Sequence, residues 1–173
     1  MIKAIETCYK GYRFRSRLEA RWAVAFDTIG HRYLYEYEGF ELPSGRYLPD
    51  FYFPNLDVWG EVKPFNFTQE ELQKCAELVV HTQKPCVLLV GMPEPTNYYF
   101  LFPWRDDDFY DAYPDQQLIE GVGCDDCDLW WRSERFYVGT GEANKTMTRC
   151  FIGTSEKPAL AAKAARFEFG ESG

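Results

Sequence analysis

Cys86-Val87-Leu88-Leu89-Val90 is an uninterrupted apolar run, entered from Pro85 and closed by Gly91. A run so short and so apolar is the pattern of a strand buried on both faces, without the polar alternation of a half-wet one. Such a strand lies inside a sheet, and the preceding segments supply its company. Val58-Trp59-Gly60-Glu61-Val62-Lys63 alternates with a period of two until Pro64 removes a ladder donor, so it reads as a strand. Between the two, Leu72, Cys75, Ala76, Val79 and Val80 recur at helical spacing, and Thr68 and Glu71 stand in the capping-box relation. Thr68 to Thr82 is therefore a predicted helix.

Upstream, Leu18, Trp22, Ala25, Phe26 and Ile29 predict a helix from Ser16 to Ile29, with Gly30 where it would stop. Tyr33 to Phe40 and Tyr47 to Phe53 flank the turn Pro43-Ser44-Gly45 and read as a β-hairpin, and Pro54-Asn55-Leu56-Asp57 is the turn into the strand at Val58. Tyr98 to Phe102 adds an edge strand. The order over residues 1–103 is α-β-β-β-α-β-β, an α/β domain around a central mixed sheet of four or five strands. Residues 104–173 form a small C-terminal extension: an acidic, turn-rich segment, a group of cysteines, and an Ala-rich terminal helix over Pro158 to Phe169.

Apolar residues make up 46% of the chain and aromatic residues 18%, which excludes disorder and argues for a packed core. No apolar run approaches the roughly 20 residues of a membrane span, and the first residues lack a signal-peptide layout, so a cytoplasmic protein with no membrane partner is expected. The formal net charge of −8 opposes binding of a polyanion. Most of that excess sits in residues 104–128, however, which hold nine acidic side chains and one basic. Near the N-terminus, Lys10, Arg13, Arg15, Arg17 and Arg21 surround a single acid, Glu19, and are candidates for a phosphate-facing, DNA-binding patch.

Alternate residues of a strand share a face, which places Glu61 and Lys63 on one side about 7 Å apart along the backbone. Leu48, Asp50 and Tyr52 share a face of the preceding strand, where Pro49 interrupts the ladder, and pairing of the two strands brings Asp50 beside Glu61. Two such carboxylates repel each other, and burying either unpaired costs several kcal/mol. A hard divalent cation, Mg²⁺ or Mn²⁺, resolves the conflict and activates water for attack on a phosphodiester. Lys63 is placed to position a proton on that water or to neutralise charge on the phosphate. Glu19 falls on the inward face of its helix with Ala23 and Phe26, as a third carboxylate aimed at the metal or as the second half of a Ser16-x-x-Glu19 capping box bonded to the Ser16 N–H.

Leu48-Pro49-Asp50-Phe51, followed after ten intervening residues by Glu61-Val62-Lys63, resembles the PD-(D/E)XK nuclease superfamily of restriction endonucleases, junction resolvases and transposon-end nucleases. The resemblance spans residue 12 to about residue 91. It includes the opening Phe14-Arg15-Ser16-Arg17-Leu18-Glu19, which is similar to the Glu-bearing N-terminal helix of resolvase-type and transposase-type members, while Pro64 stands where many members have Gly. It implies a restriction-endonuclease-like α-β-β-β-α-β core that hydrolyses DNA by metal-activated water. Asp50, Glu61 and the Val62 backbone carbonyl would hold the metal, Lys63 would be the catalytic lysine and Glu19 the accessory acid. The low net basicity then calls for a homodimer or for a protein partner that delivers the DNA. The competing class is a catalytically silent interaction protein on the same fold, an inhibitor or assembly factor.

Cys124 and Cys127 have zinc-knuckle spacing, and Cys150 would be a third thiolate of a structural Zn²⁺ whose fourth ligand is unassigned; free cysteines in a loop are the alternative. Trp130, Trp131, Phe136 and Tyr137, next to Arg132 and Arg135, form an aromatic group suited to core packing or to stacking bases.

Overall fold

The computed structural model describes residues 4–94, 98–103, 129–132, 136–139 and 157–167, with 129–132 and 136–139 as backbone. The chain opens with an antiparallel hairpin of β1 (Thr7–Tyr9) and β2 (Tyr12–Phe14). Its two-residue turn, Lys10 at φ 46° and Gly11 at φ 80°, has the doubly positive φ of a type I′ turn. Lys-Gly is an uncommon pair for that turn, which is why the hairpin escapes a reading from sequence. Helix α1 (Arg17–Ile29) follows, with Ser16 as N-cap accepting the Glu19 N–H. It ends as expected at Gly30, whose φ of 78° turns the chain so that the His31 N–H reaches the Phe26 carbonyl at 2.9 Å.

The expected hairpin splits into two layers. Strand β3 (Leu34–Tyr35) pairs antiparallel with β6 (Phe51–Phe53) in the central sheet, whereas β4 (Phe40–Leu42) and β5 (Gly45–Tyr47) form a separate two-stranded sheet between them. The break has two causes: Glu36 adopts φ 46°, turning the chain out of the ladder, and Pro49 has no N–H to donate on the opposite side. Strand β7 (Val58–Lys63) pairs antiparallel with β6, then α2 (Gln69–Thr82) carries the chain over to β8 (Cys86–Val90), which lies parallel to β7. The capping box of α2 is formed, with the Thr68 N–H on Glu71 at 2.9 Å and the Glu71 N–H on the Thr68 hydroxyl at 3.3 Å.

Strand β9 (Tyr98–Pro103) continues the sheet antiparallel to β8. It is not the edge strand that sequence suggested, because β11 (Phe136–Gly139) pairs with its other side and β10 (Leu129–Arg132) pairs with β11. An apolar strand such as β9 left unpaired would be an aggregation template, and the chain beyond residue 128 covers it. The mixed sheet thus has the order β10-β11-β9-β8-β7-β6-β3, its last five strands coming from residues 34–103. Helix α3 (Lys157–Ala164) packs on α1 and stops short of the expected Phe169, for Phe167 leaves helical geometry and meets Tyr9 edge-on at 6.2 Å.

The two faces of the sheet bury two cores. On the α1 side lie Phe14, Trp22, Phe26, Phe51, Phe53, Val58, Val62 and Phe100; on the α2 side lie Trp59, Cys75, Leu78, Val79, Cys86, Leu88 and Leu101. The alternation read from Val58 to Val62 is therefore the alternation observed. Gly60 sits in a tight place, since a Cβ there would lie 3.0 Å from a Phe53 ring carbon and 3.3 Å from the Phe51 Cβ, and those neighbours would have to give by a few tenths of an ångström. Phe26 is the hub of the first core, packing on Phe53 at 4.8 Å, Phe51 at 5.3 Å and Tyr33 at 6.0 Å between ring centroids. Phe26→Ala should cost about 3–5 kcal/mol, read in urea unfolding as a lower midpoint at an unchanged slope.

Candidate active site

The β6–β7 ladder runs through Phe51 opposite Gly60 and goes no further toward the end of β7. Beyond it the backbones part, because Pro49 cannot donate, and the Asp50 side chain enters the fork. Its Oδ2 accepts the Val62 N–H at 2.8 Å, taking a backbone donor that a longer β6 would have paired. The Asp50 N–H in turn faces Glu61 Oε2 at 3.4 Å, so the pairing expected from sequence puts the two carboxylates side by side. Asp50 is 3% exposed, Glu61 5% and Glu19 8%, low enough that each needs partners inside the protein.

Those partners are specific. Glu61 Oε1 accepts from Lys63 Nζ at 2.5 Å, the two residues sharing a strand face as their spacing requires, and Oε2 accepts from the Tyr47 hydroxyl at 2.9 Å. Asp50 Oδ1 accepts from Arg15 Nη2 at 2.6 Å, while Arg15 Nε pairs with Glu36 at 2.7 Å. Glu19 Oε2 accepts from the Tyr35 hydroxyl at 2.6 Å and from the Arg15 N–H at 3.1 Å, and Oε1 from the Ser16 hydroxyl at 2.6 Å. The expected capping box at Ser16 is thus only half formed: Ser16 Oγ accepts the Glu19 N–H at 3.2 Å, but the Glu19 carboxylate reaches back to the Arg15 N–H and the Ser16 hydroxyl. Tyr35 and Tyr47 were not singled out from sequence. The near-alternation of Tyr33 to Phe40 is the signal that held Tyr35, but which acid its hydroxyl would meet depends on strand pairing.

Three acids share this small region, and the electrostatics follow. Burial, then the charges of Glu61 and Glu19, push the Asp50 carboxyl up to about 8, against the Val62 N–H and Lys63, which favour the ionised form. Arg15 offsets this only in part, for its side chain is 54% exposed and approaches one oxygen from the solvent side. Lys63 is pulled down by burial, yet Glu61, Asp50 and Glu71 outweigh that, and the net shift is upward, so its ammonium is held charged. Burial, with Cys75 and Glu61 nearby, raises the Tyr47 hydroxyl well above its ordinary value and keeps it a donor.

The donor set suits a hard cation. Carboxylate and carbonyl oxygens are what Mg²⁺ or Mn²⁺ takes. Among the described residues no three His, Cys, Asp or Glu side chains converge into a complete ligand set. One or two carboxylates are enough for Mg²⁺, which keeps waters and substrate oxygens as its other ligands. Asp50, Glu61 and the Val62 carbonyl therefore fit by their chemistry, although Oδ1 of Asp50 and Oε1 of Glu61 are held here by Arg15 and Lys63.

Of the other residues singled out from sequence, Lys10 pairs with Asp27 at 3.1 Å and Arg13 pairs with Glu6, so these two, like Arg15, are engaged in ion pairs. Cys124, Cys127, Cys150 and Arg135 lie outside the described residues, as do the side chains of Trp130, Trp131, Arg132, Phe136 and Tyr137. No helix among the described residues is long and apolar enough to cross a membrane. No protein-family model matches the chain, and no curated protein matches it.

The raised Asp50 makes stability depend on pH. The folded protein keeps at Asp50 a proton that the unfolded chain, with its ordinary value of 3.8, releases, so stability falls as pH rises from that value through about 8. Asp50→Asn keeps an oxygen for the Val62 N–H and removes the charge. It should flatten the decline by an amount on the order of a few kcal/mol between pH 5 and pH 8.5 in urea titrations; identical profiles for both proteins would show that Asp50 is ionised throughout.

Proposed function

We propose that the chain is a metal-dependent nuclease, with the restriction-endonuclease-like fold of the PD-(D/E)XK superfamily, that hydrolyses phosphodiester bonds in DNA. The observation that supports this most is the fork at the end of β6 and β7, where Asp50 and Glu61 are buried side by side and Lys63 adjoins them. A divalent cation held between the two acids would offset the repulsion of two buried carboxylates pressed together. Asp50, Glu61 and the Val62 carbonyl would hold Mg²⁺ or Mn²⁺, which when bound supplies Lewis acidity toward the phosphate and a lower pKa for attacking water.

The protein's own residues have distinct work in this reading. Lys63, kept protonated by Glu61, donates toward a phosphate oxygen and stabilises charge that grows there as the bond to the leaving oxygen breaks. Tyr47 holds Glu61 from below and fixes its orientation. Glu19 acts through position: its three donors tie the start of α1 to Tyr35, which sets where Arg15 meets Asp50. Arg15 holds Oδ1 of Asp50 in the resting protein and would have to yield it to a cation.

One observation favours a second reading. Arg15 and Lys63 already satisfy one oxygen each of Asp50 and Glu61, the arrangement expected of a silent interaction protein that keeps the fold. Activity separates the two. Under the nuclease reading the parent cleaves DNA in Mg²⁺ or Mn²⁺ and not in EDTA, and Asp50→Asn and Lys63→Ala lower the rate by roughly 100-fold or more while remaining folded and unfolding cooperatively in urea. Cleavage by the variants at the parent rate, or none by the parent with any divalent ion across duplex, branched and single-stranded substrates, would sink it.

A further inference from the structure

Arg17 and Arg21 lie four residues apart on α1 and so share a helix face, where like charges repel each other. Facing them is the chain leaving α3, and between the two is a cavity of about 390 Å³ lined by Arg17, Arg21, Ala165, Arg166 and Phe167. Among the described residues no carboxylate lines it. Lys163, on α3, is held by Glu94 at 2.8 Å. The Arg21 guanidinium touches the Met92 sulfur through Nη1 at 3.2 Å, a weak acceptor, while its Nε is buried with no hydrogen-bond partner. A buried donor on a charged group is costly to leave unmade. Three guanidinium groups around one cavity are suited to an anion.

We propose that this cavity binds the phosphate of a nucleotide unit, with Arg17, Arg21 and Arg166 as its ligands. Phosphate is favoured over carboxylate because three planar forks present more donors than two oxygens can accept, and the guanidinium fork matches phosphate geometry two bonds at a time. The cavity falls in the size range of small-molecule sites, roomier than a bare phosphate requires. Ala165 and the half-buried ring of Phe167 give it an apolar wall for the sugar or base that the phosphate carries. That the phosphate belongs to a nucleic-acid strand rests on the nuclease reading; that the cavity takes phosphate does not.

The test is binding in EDTA, where no cleavage intervenes, with three probes: a fluorescein-labelled DNA oligonucleotide followed by anisotropy, and a nucleoside monophosphate and inorganic phosphate followed by calorimetry. Arg17→Ala and Arg166→Ala are the deciding variants, since Arg166 is exposed and neither residue belongs to a core; Arg21→Gln serves as the third. Each should weaken binding about tenfold and lower the slope of log affinity against log salt for the oligonucleotide by about one unit. Loss confined to the oligonucleotide places the phosphate on a strand, and loss extending to the monophosphate or phosphate places it on a free ligand; both support the site. No binding of any probe by the parent, or affinities and salt slopes unchanged in folded Arg17→Ala and Arg166→Ala proteins, overturns it. The nuclease reading stands or falls on cleavage by the parent in Mg²⁺ or Mn²⁺, which this assay in EDTA does not read, so its failure leaves the cavity result standing.

Discussion

Everything near the candidate site depends on one hydrogen bond, the Val62 N–H donated to Asp50 Oδ2 at 2.8 Å. It exists because the ladder between β6 and β7 stops at Phe51, and a strand partner is replaced there by a side chain. The exchange does two things at once. It satisfies a backbone donor that would otherwise be orphaned inside the protein, and it locks a carboxylate beside Glu61 at the end of a fully buried strand. The three acids, their tyrosine donors and the two cations then follow from the need to satisfy what that bond brings together.

Around this fork the supports are unequally buried. Glu61 is held from its own strand by Lys63 and from the second sheet by Tyr47, whose hydroxyl also lies 3.3 Å from the Cys75 sulfur of α2. Asp50 is held on one side by backbone and on the other by Arg15, a long side chain over half exposed. The buried partners fix the geometry, and the exposed one supplies charge from the surface. In the proposed nuclease that division has a use: the carboxylates stay placed while the arginine gives way.

Most of the elements were legible in the sequence. Helices α1 and α2 follow from apolar spacing and caps, β7 from its alternation up to Pro64, and β8 from an apolar run that neither face exposes. Those signals are local, carried by side chains within one or two turns of each other. The β1–β2 hairpin was not legible, since Lys10-Gly11 carries no usual turn signature. Nor was the splitting of the second hairpin, since Glu36 adopts a positive φ for reasons outside its own segment. The position of β9 inside the sheet depended on β11, almost forty residues later.

The candidate site divides along the same line. Sequence by itself placed Glu61 and Lys63 on one strand face, because a period of two leaves no other arrangement, and it placed Glu19 on the inward side of α1 because a helix has only one. Only the tertiary structure decided that Asp50 meets Glu61, that Tyr35 and Tyr47 are the donors that satisfy the acids, and that Arg17 and Arg21 face Arg166 across a cavity. These are contacts between residues far apart along the chain. They are set by strand register and helix packing, which the whole core determines and no single segment encodes.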